Sequence, residues 1–242
     1  MAETPNARLV QIWSLPRSGH SPVIDWLVRG FGQTDVSLWW CYHGRRPDNF
    51  CRACNPGMDA SRPVLIIDWI SHGFKTNPNT ERTWPFERDD RPNTNIIILR
   101  SLGNWLASQH RYYGRLRLAG GVADGVRIWK EHAREALGET GYLDPPPAVV
   151  LFDRWLTSKR YRAKVARRLA IACKKKPDKD ISPSSWRKET RTDAGVLSRY
   201  TKDGGLSEHV ALIDDEARRL DKKLFGRMGT LKRKTSPKPE RP

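Results

Sequence analysis

Pro16-Arg17-Ser18-Gly19-His20-Ser21 sets a guanidinium, two hydroxyls, an imidazole and a glycine in six consecutive positions. That set suits an anion. Arg forks onto phosphate or sulfate oxygens with two parallel N–H bonds, and glycine lets the backbone come close to a ligand. A second pair, Arg100 and Ser108, is eight residues apart. If Arg100 ends a strand and Ser108 lies two turns into a helix, both reach a phosphate beside the sheet. His72 follows another apolar run and is a candidate for a general base, the plainer alternative being a hydrogen-bonding surface residue. The near-neutral intrinsic pKa of an imidazole suits that work. Cys41, His43, Cys51 and Cys54 offer three thiols and an imidazole, with Cys51-x-x-Cys54 at knuckle spacing, a set that zinc takes tetrahedrally. The plainer alternative is a loop whose cysteines are simply reduced. A redox role fits less well, because Cys51 lies in a loop rather than opening a helix.

These residues need elements to hold them. Leu9–Ser14 is β-prone and apolar, and helical spacing restarts at Val23, Trp26, Leu27 and Phe31. The reading is a strand, a tight polar turn and a helix Pro22–Phe31, with Ser21 as N-cap and Pro22 at the first helical position. The turn then faces the helix's free N–H groups and positive dipole end. The ordinary alternative is a plain strand-to-helix connection with a surface Arg. No Gly-Lys followed by Ser or Thr is present, so the lysine and magnesium-ligating hydroxyl of a Walker loop are missing.

Further strands are expected at Val36–Trp40, Val64–Trp69, Asn95–Arg100 and Ala148–Asp153. VLIIDW and NIIIL are near-continuous apolar runs, as strands buried on both faces require. Helices are expected at Leu102–Tyr113, Val122–Leu137, Thr157–Cys173 and Glu208–Phe225. The Thr157–Cys173 helix is strongly basic, through Lys159, Arg160, Arg162, Lys164, Arg167 and Arg168. It reads as a solvated face or as a surface that steers an anionic partner. Strands alternating with helices predict an α/β domain with a central parallel sheet between helical layers. Ligands in such sheets sit beyond the carboxyl ends of the strands, where the Arg17 turn, His72 and Arg100 all fall. Thr76–Asn95 reads as a loop or lid. Arg187 and Lys188, among small hydroxyl residues, make a second wall for a polyanion.

The chain of 242 residues is 38% hydrophobic with ten Trp, enough for one packed domain. Its net charge of +17 attracts nucleotides, sulfated or phosphorylated acceptors, nucleic acid or acidic lipid. No apolar leader opens the sequence, no run approaches the ~18 apolar residues of a membrane span, and four cysteines suit a reducing compartment, so the expectation is a soluble cytoplasmic protein. The domain is expected over 1–226, with 41–57 as a zinc-binding insertion and 227–242 as a basic, Pro-rich disordered tail.

SLPRSGHSPVIDWL resembles the 5′-phosphosulfate loop of the sulfotransferase family. ILRSLGNWLASQHRYYG resembles that family's 3′-phosphate segment, with Arg100 and Ser108 at its separation, and FDRWLTSKRYRAKVARRL resembles the strand and helix that follow. The two motif segments cover about a seventh of the chain. The resemblance implies a P-loop-like fold and 3′-phosphoadenosine-5′-phosphosulfate as co-substrate, with no catalytic metal. Arg17, Ser18, Gly19, His20 and Ser21 would hold the 5′-phosphosulfate; Arg100 and Ser108 would hold the 3′-phosphate. Catalysis would fall to Arg17, with His72, His20 or Asp68 as base. His20 stands where the family often has Thr, and His72 matches the family's base only by its place after a strand. The acceptor would be a hydroxyl or an amine. A nucleotide kinase or NTPase on the same scaffold and a non-catalytic polyanion or nucleic-acid binder are the alternatives.

Overall fold

A computed structural model describes residues 7–42, 59, 61–70, 73–74, 91–113, 121–172 and 213–226, with backbone only for 39–42 and 110–113. Five strands form one sheet: β1 (Arg8–Ser14), β2 (Val36–Tyr42), β3 (Val64–Ile70), β4 (Asn93–Leu99) and β5 (Ala148–Leu151). The order is β2-β3-β1-β4-β5 and every pairing is parallel. The described helices are α1 (His20–Phe31), α2 (Leu102–Tyr113), α3 (Gly121–Ala136), α4 (Phe152–Thr157), α5 (Lys159–Arg168) and α6 (Asp215–Phe225). The expected α/β class with a central parallel sheet is therefore observed.

Side chains alternate across the sheet. Val10, Ile12, Val64, Ile66, Ile96 and Ile98 face α1, α4 and α5 in one core. Trp13, Leu65, Ile67, Trp69, Ile97 and Leu99 face α2, α3 and α6 in the other. All seven residues of β3 are buried, as a strand covered on both faces requires. β1 connects through α1 to β2 on one side, whereas β4 connects through α2 and α3 to β5 on the other. β1 and β4 are neighbours, so a crevice opens beyond their carboxyl ends.

Several boundaries differ from the expectations. α1 starts at His20, with Gly19 as its N-cap in the left-handed region, so Ser21 and Pro22 lie inside the first turn and Ser21 is not the cap. The positive φ of Gly19 reverses the chain early enough for the helix to begin two residues sooner. β2 continues to Tyr42, and β4 starts at Asn93 and ends at Leu99, leaving Arg100 just past it. The strand expected to run to Asp153 stops at Leu151; Phe152 and Asp153 open α4, because both side chains are recruited to the crevice. The basic helix expected from Thr157 starts instead at Lys159: Thr157 ends α4, and the Ser158 hydroxyl accepts from the Tyr161 amide and caps α5. α5 ends at Arg168, before Ala170 at a φ of 50°. The last helix starts at Asp215, with Asp214 accepting the Ala217 amide at 2.8 Å as N-cap.

Candidate functional site

The turn after β1 is closed by the Ser18 amide donating to the Leu15 carbonyl at 3.0 Å. Pro16 sits at its second position, and Arg17 at its third has a φ of 66°. This is a type II turn, whose third position normally belongs to glycine. A left-handed non-glycine residue costs about 1–2 kcal/mol, so neighbouring groups must hold it. They come from α2. The Pro16 carbonyl accepts from Trp105 Nε1 at 2.9 Å and from Gln109 Nε2 at 2.5 Å. Arg17 Nε donates to Ser108 Oγ at 3.3 Å. Residues 105, 108 and 109 lie on one helix face by their i, i+3, i+4 spacing.

Gly19 follows at a φ of 92°, its Cα against the Phe152 ring. No side chain caps α1. The buried Ser18 hydroxyl has no hydrogen-bond partner. Nδ1 of His20 is sealed from solvent, and burial first, with the Arg17 charge contributing, brings the ring's pKa down to about 4, against a weaker opposing hydrogen bond to the Leu15 backbone. His20 is therefore neutral at pH 7.

Arg100 lies at the neighbouring strand end. Its Nε is 3.6 Å from Asp153 Oδ1 and its guanidinium sits over the Phe152 ring, 5.6 Å from the centroid. The same ring touches Gly19, so one aromatic separates the two expected anion places. Asp153 Oδ2 accepts the Ser101 amide at 2.9 Å, Asp221 Oδ1 accepts the Leu102 amide at 2.8 Å, and Trp129 Nε1 donates to the Arg100 carbonyl at 3.0 Å. The first amides of α2 are thus capped by carboxylates from α4 and α6. Burial pushes Asp221 up to about 7, and nearby Asp153 adds to the shift.

Asp68 lies within β3, two residues before its end and opposite Ile12 of β1. It accepts Ser14 Oγ at 2.7 Å through Oδ1, while its buried Oδ2 has no hydrogen-bond partner. Full burial pushes the carboxyl up to about 8, only partly offset by Ser14. Such a group is protonated at neutral pH.

The structure thus brings Arg17, Ser18, Gly19, His20, Ser108 and Arg100 to one end of the sheet. Asp68 is close in sequence register but enclosed. His72, His43, Cys51 and Cys54 lie outside the described residues, and of Cys41 only its place in β2 is described. Among the described residues, no group of three or more His, Cys, Asp or Glu is arranged to hold a metal ion. Sequence reasoning missed Trp105, Gln109, Phe152 and Asp153. The helical spacing around Ser108 already put Trp105 and Gln109 on its face, a usable signal. Phe152 and Asp153 were hidden by an apolar run that reads as continuous strand.

The chain matches no family model, no curated protein and no solved structure. The chemical case therefore rests on its own residues: an uncapped helix start, an orphaned hydroxyl and two guanidiniums around one crevice.

Proposed function

We propose that this chain is a sulfotransferase on a P-loop-like scaffold, taking a sulfuryl group from 3′-phosphoadenosine-5′-phosphosulfate and passing it to a hydroxyl or amine. The observation that carries this reading is the contact of Arg17 Nε with Ser108 Oγ, which joins the loop expected at the 5′ end to the helix expected at the 3′ end. The missing Walker lysine favours it over a kinase. In-line sulfuryl transfer builds charge on the bridging leaving oxygen, and preorganised donors aimed there supply most of the acceleration. Arg17, Ser18 Oγ and the first amides of α1 are those donors. Neutral His20 is a weak base and better suited to hydrogen-bonding a sulfate oxygen. Asp68, protonated and enclosed, cannot take a proton at neutral pH. His72 is left as the base, on the resemblance alone. Arg100 would hold the 3′-phosphate, on the resemblance.

The test is a calorimetric titration with 3′,5′-adenosine bisphosphate. Wild type is expected to bind, and Arg17→Gln to lose at least about tenfold in affinity. Arg17 is the better variant because Arg100→Ala leaves Asp153 buried without its cation, at a cost of about 3–5 kcal/mol in fold stability. Failure of wild type to bind overturns the reading.

A second reading, a polyanion-binding protein, has its own observation. Lys159, Arg160, Lys164 and Arg167 are exposed on α5, which carries no acidic residue, and none of the four forms an ion pair among the described residues. Steeply salt-dependent RNA or DNA binding that is indifferent to Arg17→Gln would favour it over the enzyme.

A further inference from the structure

The two hydrogen bonds on the Pro16 carbonyl fall on the group that decides the turn. Type I and type II turns share their first and last residues and differ by a flip of the central peptide, here the one between Pro16 and Arg17. In type I the third residue has a negative φ, open to any side chain. In type II it is positive, which disfavours anything but glycine or asparagine. Arg17 by itself therefore favours type I. What holds type II is the direction of the Pro16 carbonyl, aimed at α2 and receiving both Trp105 Nε1 and Gln109 Nε2. Gln109 is fully buried and spends its amide on this contact, while its Oε1 has no hydrogen-bond partner. That is a costly way to fill a core position unless the donated bond is needed. The same α2 face carries Ser108, which receives Arg17 Nε. Carbonyl and guanidinium are thus fixed together by one rigid helix. Its amino end is anchored in turn beside Arg100, through Asp153, Asp221 and Trp129.

We infer that Trp105 and Gln109 form a clamp that selects the type II turn and so aims Arg17, making Gln109 a positioning residue for the loop. The conformational part is independent of what the loop binds. The ligand consequence rests on the proposed nucleotide reading: aiming Arg17 matters for the 5′ group of the donor and not for its 3′-phosphate.

The test uses full-length Gln109→Met, which keeps length and apolar volume and removes the donor. Trp105→Phe, which removes the other donor, serves as the second variant. In nitrogen-edited NMR spectra the Arg17 Nε–H signal, assigned by its loss in Arg17→Gln, is expected to exchange with water at least about tenfold faster in either variant than in wild type. Affinity for 3′,5′-adenosine bisphosphate is expected to fall about tenfold while affinity for adenosine 3′-monophosphate stays level. An unmoved Arg17 signal overturns the clamp. Equal loss for both nucleotides also overturns it, since that marks a general structural role. If wild type binds neither nucleotide but the Arg17 signal still responds to both variants, the clamp stands and the sulfotransferase reading falls.

Discussion

A Cβ added to Gly19 would lie 2.2–2.5 Å from three atoms of the Phe152 ring, at a φ of 92°. Phe152 is buried and pinned between Gly19 and Arg100, so it has little room to yield. Gly19→Ala combines left-handed strain of about 1–2 kcal/mol with overpacking of about 1–3 kcal/mol. The expected loss is about 2–5 kcal/mol in urea denaturation, with anion affinity lost as the loop shifts; a variant as stable as wild type would show that the ring moves freely. The neighbouring glycine-like position is occupied by Arg17. Pro-Arg-Ser-Gly before an amphipathic run already pointed to an anion turn. That Arg17 would be left-handed was not legible, because the residue disfavours that conformation and the groups that impose it lie about ninety positions away.

At the scale of elements, α6 is held in two ways. Ala217, Leu220, Leu224 and Phe225 enter the core shared with α2 and α3. Around them, Lys130 meets Asp214 at 2.6 Å and Glu216 at 3.2 Å, Arg134 also pairs with Glu216, and Glu139 receives Arg219 at 2.8 Å and Lys223 at 2.7 Å. Exposed pairs are screened by salt, whereas buried apolar volume is not. Leu220→Ala is expected to cost about 2–5 kcal/mol at any ionic strength. Glu139→Gln should give only a small loss that disappears in high salt; chemical denaturation at two salt concentrations compares them, and a salt-resistant loss for Glu139→Gln would refute the division. The helix was legible from its apolar stripe, but its start was not, since Asp214 acts as N-cap only through its local backbone geometry. α4 was misread for a related reason. AVVLFD is apolar throughout, and only the recruitment of Phe152 and Asp153 to the crevice ends the strand at Leu151.

At the scale of the whole molecule, buried Asp68, Asp221 and His20, among the described residues, couple folding to pH. Asp68 rises from 3.8 to about 8 and Asp221 from 3.8 to about 7, so the native state holds protons that the unfolded chain has released. Their contribution is complete below the unfolded carboxyl pKa and is lost as pH rises through the folded values. His20, lowered from 6.5 to about 4, works the opposite way, its contribution being lost as pH falls through that interval. Asp68→Asn keeps an acceptor for Ser14 and removes the titration. Its Tm is expected to gain on wild type steadily from about pH 5 to pH 8, and a difference that stays flat over that range would show that Asp68 ionises as an ordinary carboxyl.

Composition and periodicity by themselves determined that this chain builds a buried parallel sheet between amphipathic helices, with cationic and hydroxylic residues at the strand ends. Those are local properties: apolar runs of strand length, helical spacing, a Pro-Arg-Ser-Gly turn. Which strands are neighbours was decided only in three dimensions, because periodicity says which face of an element is apolar and nothing about what covers it. β1 lies between β3 and β4, and from that single adjacency follow the crevice, the meeting of Arg17 with Ser108, and the enclosure of Asp68 beside Ser14.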